Sequence, residues 1–101
     1  MPAYKDSRYG WKYETNVDIG NGYAITILTM KRSNGELVTN AQRVNVEDDC
    51  ISFMMHSDFN RSYVRSRVRI SEKVVTNQHE DVLSRIEQIK TDCADFYKDK
   101  E

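Results

Sequence analysis

Residues 9–19 alternate strictly. Tyr9, Trp11, Tyr13, Thr15, Val17 and Ile19 share one face, and Lys12, Glu14, Asn16 and Asp18 share the other. A period of two with aromatic and β-branched residues on one side predicts a half-buried strand, with Trp11 buried and Lys12, Glu14 and Asn16 exposed. Gly20-Asn21-Gly22 follows, three residues that tolerate positive φ and therefore suit a tight reversal. The next stretch, 23–31, is apolar on both faces, with Tyr23, Ile25 and Ile27 against Ala24, Leu28 and Met30. That pattern predicts a strand central in a sheet or covered on both sides. Asn34-Gly35 is the strongest hairpin signal in the chain.

The third stretch, 36–46, is weaker, because Asn40 and Gln42 interrupt Val38, Val44 and Val46. It reads as an edge strand or a bulged one. After the polar turn Glu47-Asp48-Asp49, residues 50–55 form a fourth stretch that is apolar on both faces. A fifth spans 61–70, with Val64, Val68 and Ile70 on one side and Arg61, Tyr63, Arg65, Arg67 and Arg69 on the other. A helix is then predicted from Asn77, which forms a capping box with Glu80; Thr76 is an alternative cap. Val82, Leu83, Ile86, Ile89, Cys93, Phe96 and Tyr97 recur at helical spacing, and neither Gly nor Pro interrupts the segment to Glu101. Ile86 and Ile89 are expected deep in the core. The expected fold is α+β: an antiparallel meander of about five strands, covered by one long C-terminal helix.

At 101 residues there is room for one domain, expected over 9–101, with residues 1–8 as a loosely held arm. The composition, 39% hydrophobic and 31% charged, is that of an ordinary globular chain rather than a disordered one. The beginning of the chain has no apolar stretch resembling a signal peptide, and no apolar run approaches the ~20 residues of a membrane span. A cytoplasmic protein without a membrane partner is expected. The net charge of −1 conceals segregation. Residues 1–46 hold six bases against four acids, 47–60 four acids alone, 61–75 five bases against one acid, and 76–101 four bases against seven acids. Alternating patches suit an oriented contact between proteins better than a uniform nucleic-acid coat.

The arginine stretch carries the sharpest candidate chemistry. Side chains two apart on a strand project from one face every ~6.7 Å, so Arg61, Tyr63, Arg65, Arg67 and Arg69 would form a basic stripe around one aromatic. Three uses stand open. The stripe meets an acidic protein surface; it follows a phosphate backbone while Tyr63 stacks on a base; or it is a solvated sheet face paired internally with Glu14, Asp18 or the acidic turn Glu47-Asp48-Asp49. That acidic turn is itself a second candidate contact. The spacing of Val82, Ile86, Ile89, Cys93 and Phe96, extended upstream by Val75 and His79, also matches a coiled-coil seam. A homodimer through that seam, or through an open edge at 36–46, is a further expectation.

Catalytic and cofactor patterns are poor. Cys93 and His79 lie 14 residues apart, roughly 21 Å along one helix, too far for a thiol–imidazole pair. His56-Ser57-Asp58 are consecutive and cannot form a triad with one another. Cys50 and Cys93 belong to no zinc-like cluster, 47–49 lack calcium-loop spacing, and there is no phosphate-cradling glycine loop. No enzyme, cofactor or metal is expected. In size and order of elements the chain resembles small adaptors, immunity proteins and phage-encoded inhibitors of host defence, without a shared motif. The expectation is a non-enzymatic binding protein, an inhibitor by that likeness, with a protein as partner and nucleic acid or nucleotide as the alternative.

Overall fold

A computed structural model of the protein describes residues 4–6, 10–46 and 59–98, with side chains from residue 12 onward. The fold is α+β. The strands are β1 (Tyr4–Asp6), β2 (Gly10–Gly20), β3 (Tyr23–Lys31), β4 (Leu37–Asn45) and β5 (Asn60–Ser66), and the helices are α1 (Glu72–Leu83) and α2 (Ile86–Lys98). The sheet runs β1-β2-β3-β4-β5, and every neighbouring pair is antiparallel. Four strands are long. β1 is a three-residue edge inside the segment expected to be an arm. The expected strand at 50–55 and the acidic turn Glu47-Asp48-Asp49 lie outside the described residues.

Both predicted reversals form. Gly20 pairs with Tyr23, and Asn21 and Gly22 between them take φ of 58° and 80°, the two positive values of a type I′ turn. Asp18 steadies this turn, its Oδ1 accepting from the Gly20 N–H at 3.0 Å. At the second reversal Arg32 N–H donates to Glu36 O and Gly35, with φ 88°, closes back on Arg32 O.

Register places Tyr13 and Thr15 of β2, Ile25, Ile27 and Thr29 of β3, and Leu37, Thr39 and Ala41 of β4 on one face. The helices cover that face. The opposite face is also buried at Ala24, Thr26, Val38 and Val44, so β3 and β4 are enclosed on both sides. For β3 this matches its two-sided apolar pattern. For β4 it overturns the edge-strand expectation: β4 lies between β3 and β5, and its polar positions are used internally, Asn40 accepting from Ser62 Oγ at 2.7 Å.

The single long helix is also corrected. α1 begins five residues before the expected cap at Asn77, because Ser71 stays extended and its hydroxyl accepts from the Val74 N–H at 3.3 Å. Asn77 and Thr76 are interior to the helix. α1 stops at Leu83, where Arg85 N–H reaches back only to Val82 O and the Ser84 hydroxyl takes the Asp81 carbonyl at 2.6 Å. The apolar spacing nevertheless continues across this break. Val75, His79 and Val82 on α1 and Ile89, Cys93 and Tyr97 on α2 all face the sheet. The residues of the presumptive coiled-coil seam are therefore used on the protein's own sheet.

Two apolar clusters result. The larger joins Ile25, Ile27, Ala41 and Phe59 to Val82, Ile89, Cys93 and Tyr97. Ile86, expected deep in the core, only flanks it and is half-buried, while Ile89 is fully buried. The smaller cluster joins Tyr13, Leu37 and Val75, with Ile70 and Val74 against it. No described helix is long and apolar enough to cross a membrane.

Candidate functional site

β5 carries the candidate arginines, but not as one stripe. Thr39 faces Val64 and the next β4 residue, Asn40, faces Ser62, so β5 has one extra residue at that point, Tyr63. This bulge reverses the alternation. Arg61 comes opposite Ala41, whose face is toward the helices, and Arg65 opposite Val38, on the other face. The strand then ends at Ser66, because its partner β4 begins at Leu37 and offers no further residues. Arg67 and Arg69 lie beyond the sheet, in the connection to Ser71. The four arginines therefore lie on both faces of β5 and just beyond its end. Arg61, Arg65, Arg67 and Arg69 are all exposed.

Among the described residues internal pairing accounts for little of this charge; the acidic turn Glu47-Asp48-Asp49 lies outside them. Among the described residues one ion pair touches the set, Arg67 Nε to Glu36 Oε1 at 3.7 Å, with the Arg67 side chain 74% exposed. Glu14 and Asp18 sit on β2, three strands away, about 14 Å at ordinary strand spacing.

Tyr63 is not a free aromatic among the arginines. The bulge turns it toward the larger core cluster, and its hydroxyl donates to Asp92 Oδ2 of α2 at 3.2 Å. Gln88 holds the other oxygen of Asp92 at 2.9 Å. Burial, reinforced by the Asp92 carboxylate, pushes the phenol up to about 12. Tyr63 therefore fastens β5 to α2 and is half-buried.

Sequence reasoning missed a second polar constellation, which is interior. His79 of α1 is fully buried, its ring stacked on Tyr13 with centroids 3.9 Å apart and planes 15° from parallel. Its Nε2 lies 2.7 Å from Thr15 Oγ1, and its Nδ1 lies 2.9 Å from Thr29 Oγ1. Thr29 meets Thr39 at 2.6 Å. Gln78 Nε2 donates to Thr39 Oγ1 at 3.1 Å and to Leu37 O at 3.2 Å, and the Ser66 hydroxyl donates to Gln78 Oε1.

Each threonine hydroxyl can donate once and accept twice, so the order of donors along this chain follows the His79 tautomer. A neutral imidazole, one ring nitrogen donating and the other accepting, satisfies both threonine contacts. Burial lowers the His79 pKa to about 4. Cys93, remote in the larger cluster, has its thiol pushed up by burial, which disfavours the nucleophilic thiolate. Among the described residues no three His, Cys, Asp or Glu side chains gather as metal ligands. No family model, curated protein or solved structure matches the chain.

Proposed function

We propose that the protein is a non-enzymatic binding protein that recognises an acidic surface on a protein partner through Arg61, Arg65, Arg67 and Arg69. The observation that supports this reading is the set of four exposed arginines on and just beyond β5, of which only Arg67 makes an ion pair among the described residues, a long one to Glu36. Arginine suits such a surface, because its planar fork meets carboxylates two bonds at a time and its charge speeds encounter. Placed on two faces and beyond the strand end, the four charges fit a concave or wrapping partner better than a straight phosphate backbone. The Asp92 carboxylate that accepts from the Tyr63 hydroxyl weighs in the same direction, since it would repel a phosphate brought to that ring.

The test is a paired capture from native lysate with wild-type protein and an Arg65→Glu/Arg67→Glu variant, read by mass spectrometry. The expected outcome is a stoichiometric protein partner retained by the wild type and lost from the variant. Identical capture by both overturns the assignment. Affinity for a single-stranded oligonucleotide that falls steeply with salt would move the edge to nucleic-acid recognition instead.

A further inference from the structure

Two long strands of the sheet have a side that no described strand covers: β5, and β2 beyond its first residues. Hydrogen-bond alternation shows which groups face the open side of β2. Val46 N–H donates to Gly22 O, so the even-numbered residues of β3 bond β4 and the odd-numbered ones bond β2. Tyr13, Thr15 and Val17 of β2 therefore aim their backbone groups at β3, and Glu14, Asn16 and Asp18 aim theirs outward. Among the described residues β1 pairs with 10–12 alone. Its register carried further would set Pro2 opposite Glu14, and proline has no N–H to donate. β5 is a poorer edge, because the extra residue Tyr63 breaks the even spacing of its outward groups, and such bulges discourage an added strand.

The side chains along this edge select what could pair with it. Glu14, Asn16 and Asp18 share the face away from the helices, and Asn16 and Asp18 are exposed. Asp18 uses one oxygen on the Gly20 N–H. Lys12, the base on the same face, lies where β1 is already paired. The adjoining β3 positions on that face, Ala24, Thr26, Leu28 and Met30, carry no charge. On the helix face, Thr15 and Val17 are half-buried and leave β-branched surface beside the edge.

We infer that the open side of β2, over residues 14–18, takes an extended segment of a partner protein as an added strand in line with β1, a segment that alternates Lys or Arg with apolar residues. Its backbone bonds the outward groups of Glu14, Asn16 and Asp18, its bases meet the two carboxylates, and its apolar side chains lie beside Thr15 and Val17. A second copy of the chain on the same edge would set acid against acid, which is destabilising. The site is separate from the β5 arginines and does not depend on their role.

The test is an amide-resolved NMR titration of the full chain with a blocked heptapeptide that alternates lysine with valine. Saturable shifts and slowed solvent exchange are expected at the amides of Glu14, Asn16 and Asp18. In an antiparallel pair the peptide's lysines stand opposite these residues and supply the backbone donors. The same peptide N-methylated at its lysines keeps every charge but loses those donors, and affinity should fall about tenfold or more. Glu14→Lys should weaken the unmethylated peptide about threefold to tenfold. Should that variant fail to fold, Glu14→Gln should weaken it in the same direction. No saturable shift at millimolar peptide overturns the inference. So does equal binding by the N-methylated peptide or by a glutamate–valine peptide, or a response centred on residues 60–66.

Discussion

Both ends of the helix–sheet interface bury apolar side chains, but only the α1 end threads a chain of polar groups through them. Under α2 the sheet presents Ile25, Ile27 and Ala41, with Phe59 beside them, and the helix answers with Ile89, Cys93 and Tyr97. Under α1 the same strands present Thr29 and Thr39, with Thr15 from β2, and the helix answers with His79 and Gln78. On both β3 and β4 the change takes one step of the side-chain period, from Ile27 to Thr29 and from Ala41 to Thr39. The apolar end gains from burial and close packing, neither of which names a partner atom by atom. The polar end has a defined hydrogen-bond partner at each step of its chain, so it fixes where α1 sits along the sheet. The difference teaches where the polar groups of this protein are used. Inside, they are consumed by one another. On β5 and just beyond it, Arg61, Arg65, Arg67 and Arg69 are exposed, with one long ion pair among the described residues.

The largest effect should come from the apolar end. Ile89 is fully buried, and Ile89→Ala should cost about 2–5 kcal/mol, measured by denaturant unfolding. The loss should be nearly the same at pH 7 and pH 5, because no titratable chain of contacts passes through that site.

The polar end should respond to acid. The folded pKa of His79 lies below its ordinary 6.5. Its neutral form therefore contributes stability that is fully present above about pH 6.5 and lost as pH falls toward 4, where the unfolded chain binds the proton and the folded one does not. The loss across that window is about 3 kcal/mol. His79→Gln should flatten the slope of stability against pH in that window. A slope unchanged by the substitution would remove His79 as its source.

A smaller effect belongs to the fastening between β5 and α2. Tyr63→Phe removes one half-buried hydrogen bond while Gln88 still holds Asp92, so the cost should be about 1 kcal/mol or less. The variant should also lose the tyrosinate titration that burial and Asp92 displace to about 12, checked by ultraviolet difference spectra against the wild type.

What the sequence made legible follows the range of the interactions. The β2–β3 and β3–β4 hairpins are encoded within a few residues, by Asn21-Gly22 and Asn34-Gly35 between apolar runs, and both appear. The start of α1 is hidden by Val74-Val75-Thr76, a β-branched run that argues against helix until Val75 is packed on Tyr13 and Leu37. The break at Ser84-Arg85 carries no Gly or Pro, and only the competition of a serine hydroxyl for a helix carbonyl marks it. The bulge at Tyr63 depends on how β5 meets β4, and strand alternation alone could not show that Arg61 and Arg65 face opposite ways. The His79 chain links residues 50 and 64 positions apart, so no local pattern announces it. Thr15 passed as a β-branched member of an apolar face, and Thr29 and Thr39 carried no signal of their own. Of the candidate contacts, the four arginines were legible as exposed charge, but the bulge that breaks their stripe and the Tyr63–Asp92 contact were not.

The smallest expected effect on stability bears on the central claim, that the β5 arginines are spare to the fold and serve recognition. The direct measurement is denaturant unfolding of Arg65→Glu/Arg67→Glu, with partner capture from the same preparation. The account predicts cooperative unfolding within about 0.5 kcal/mol of wild type, as for surface positions outside any buried network, together with loss of capture. Destabilisation by several kcal/mol would make these arginines internal partners of the sheet, and full stability with undiminished capture would place the contact surface elsewhere; either result would contradict it.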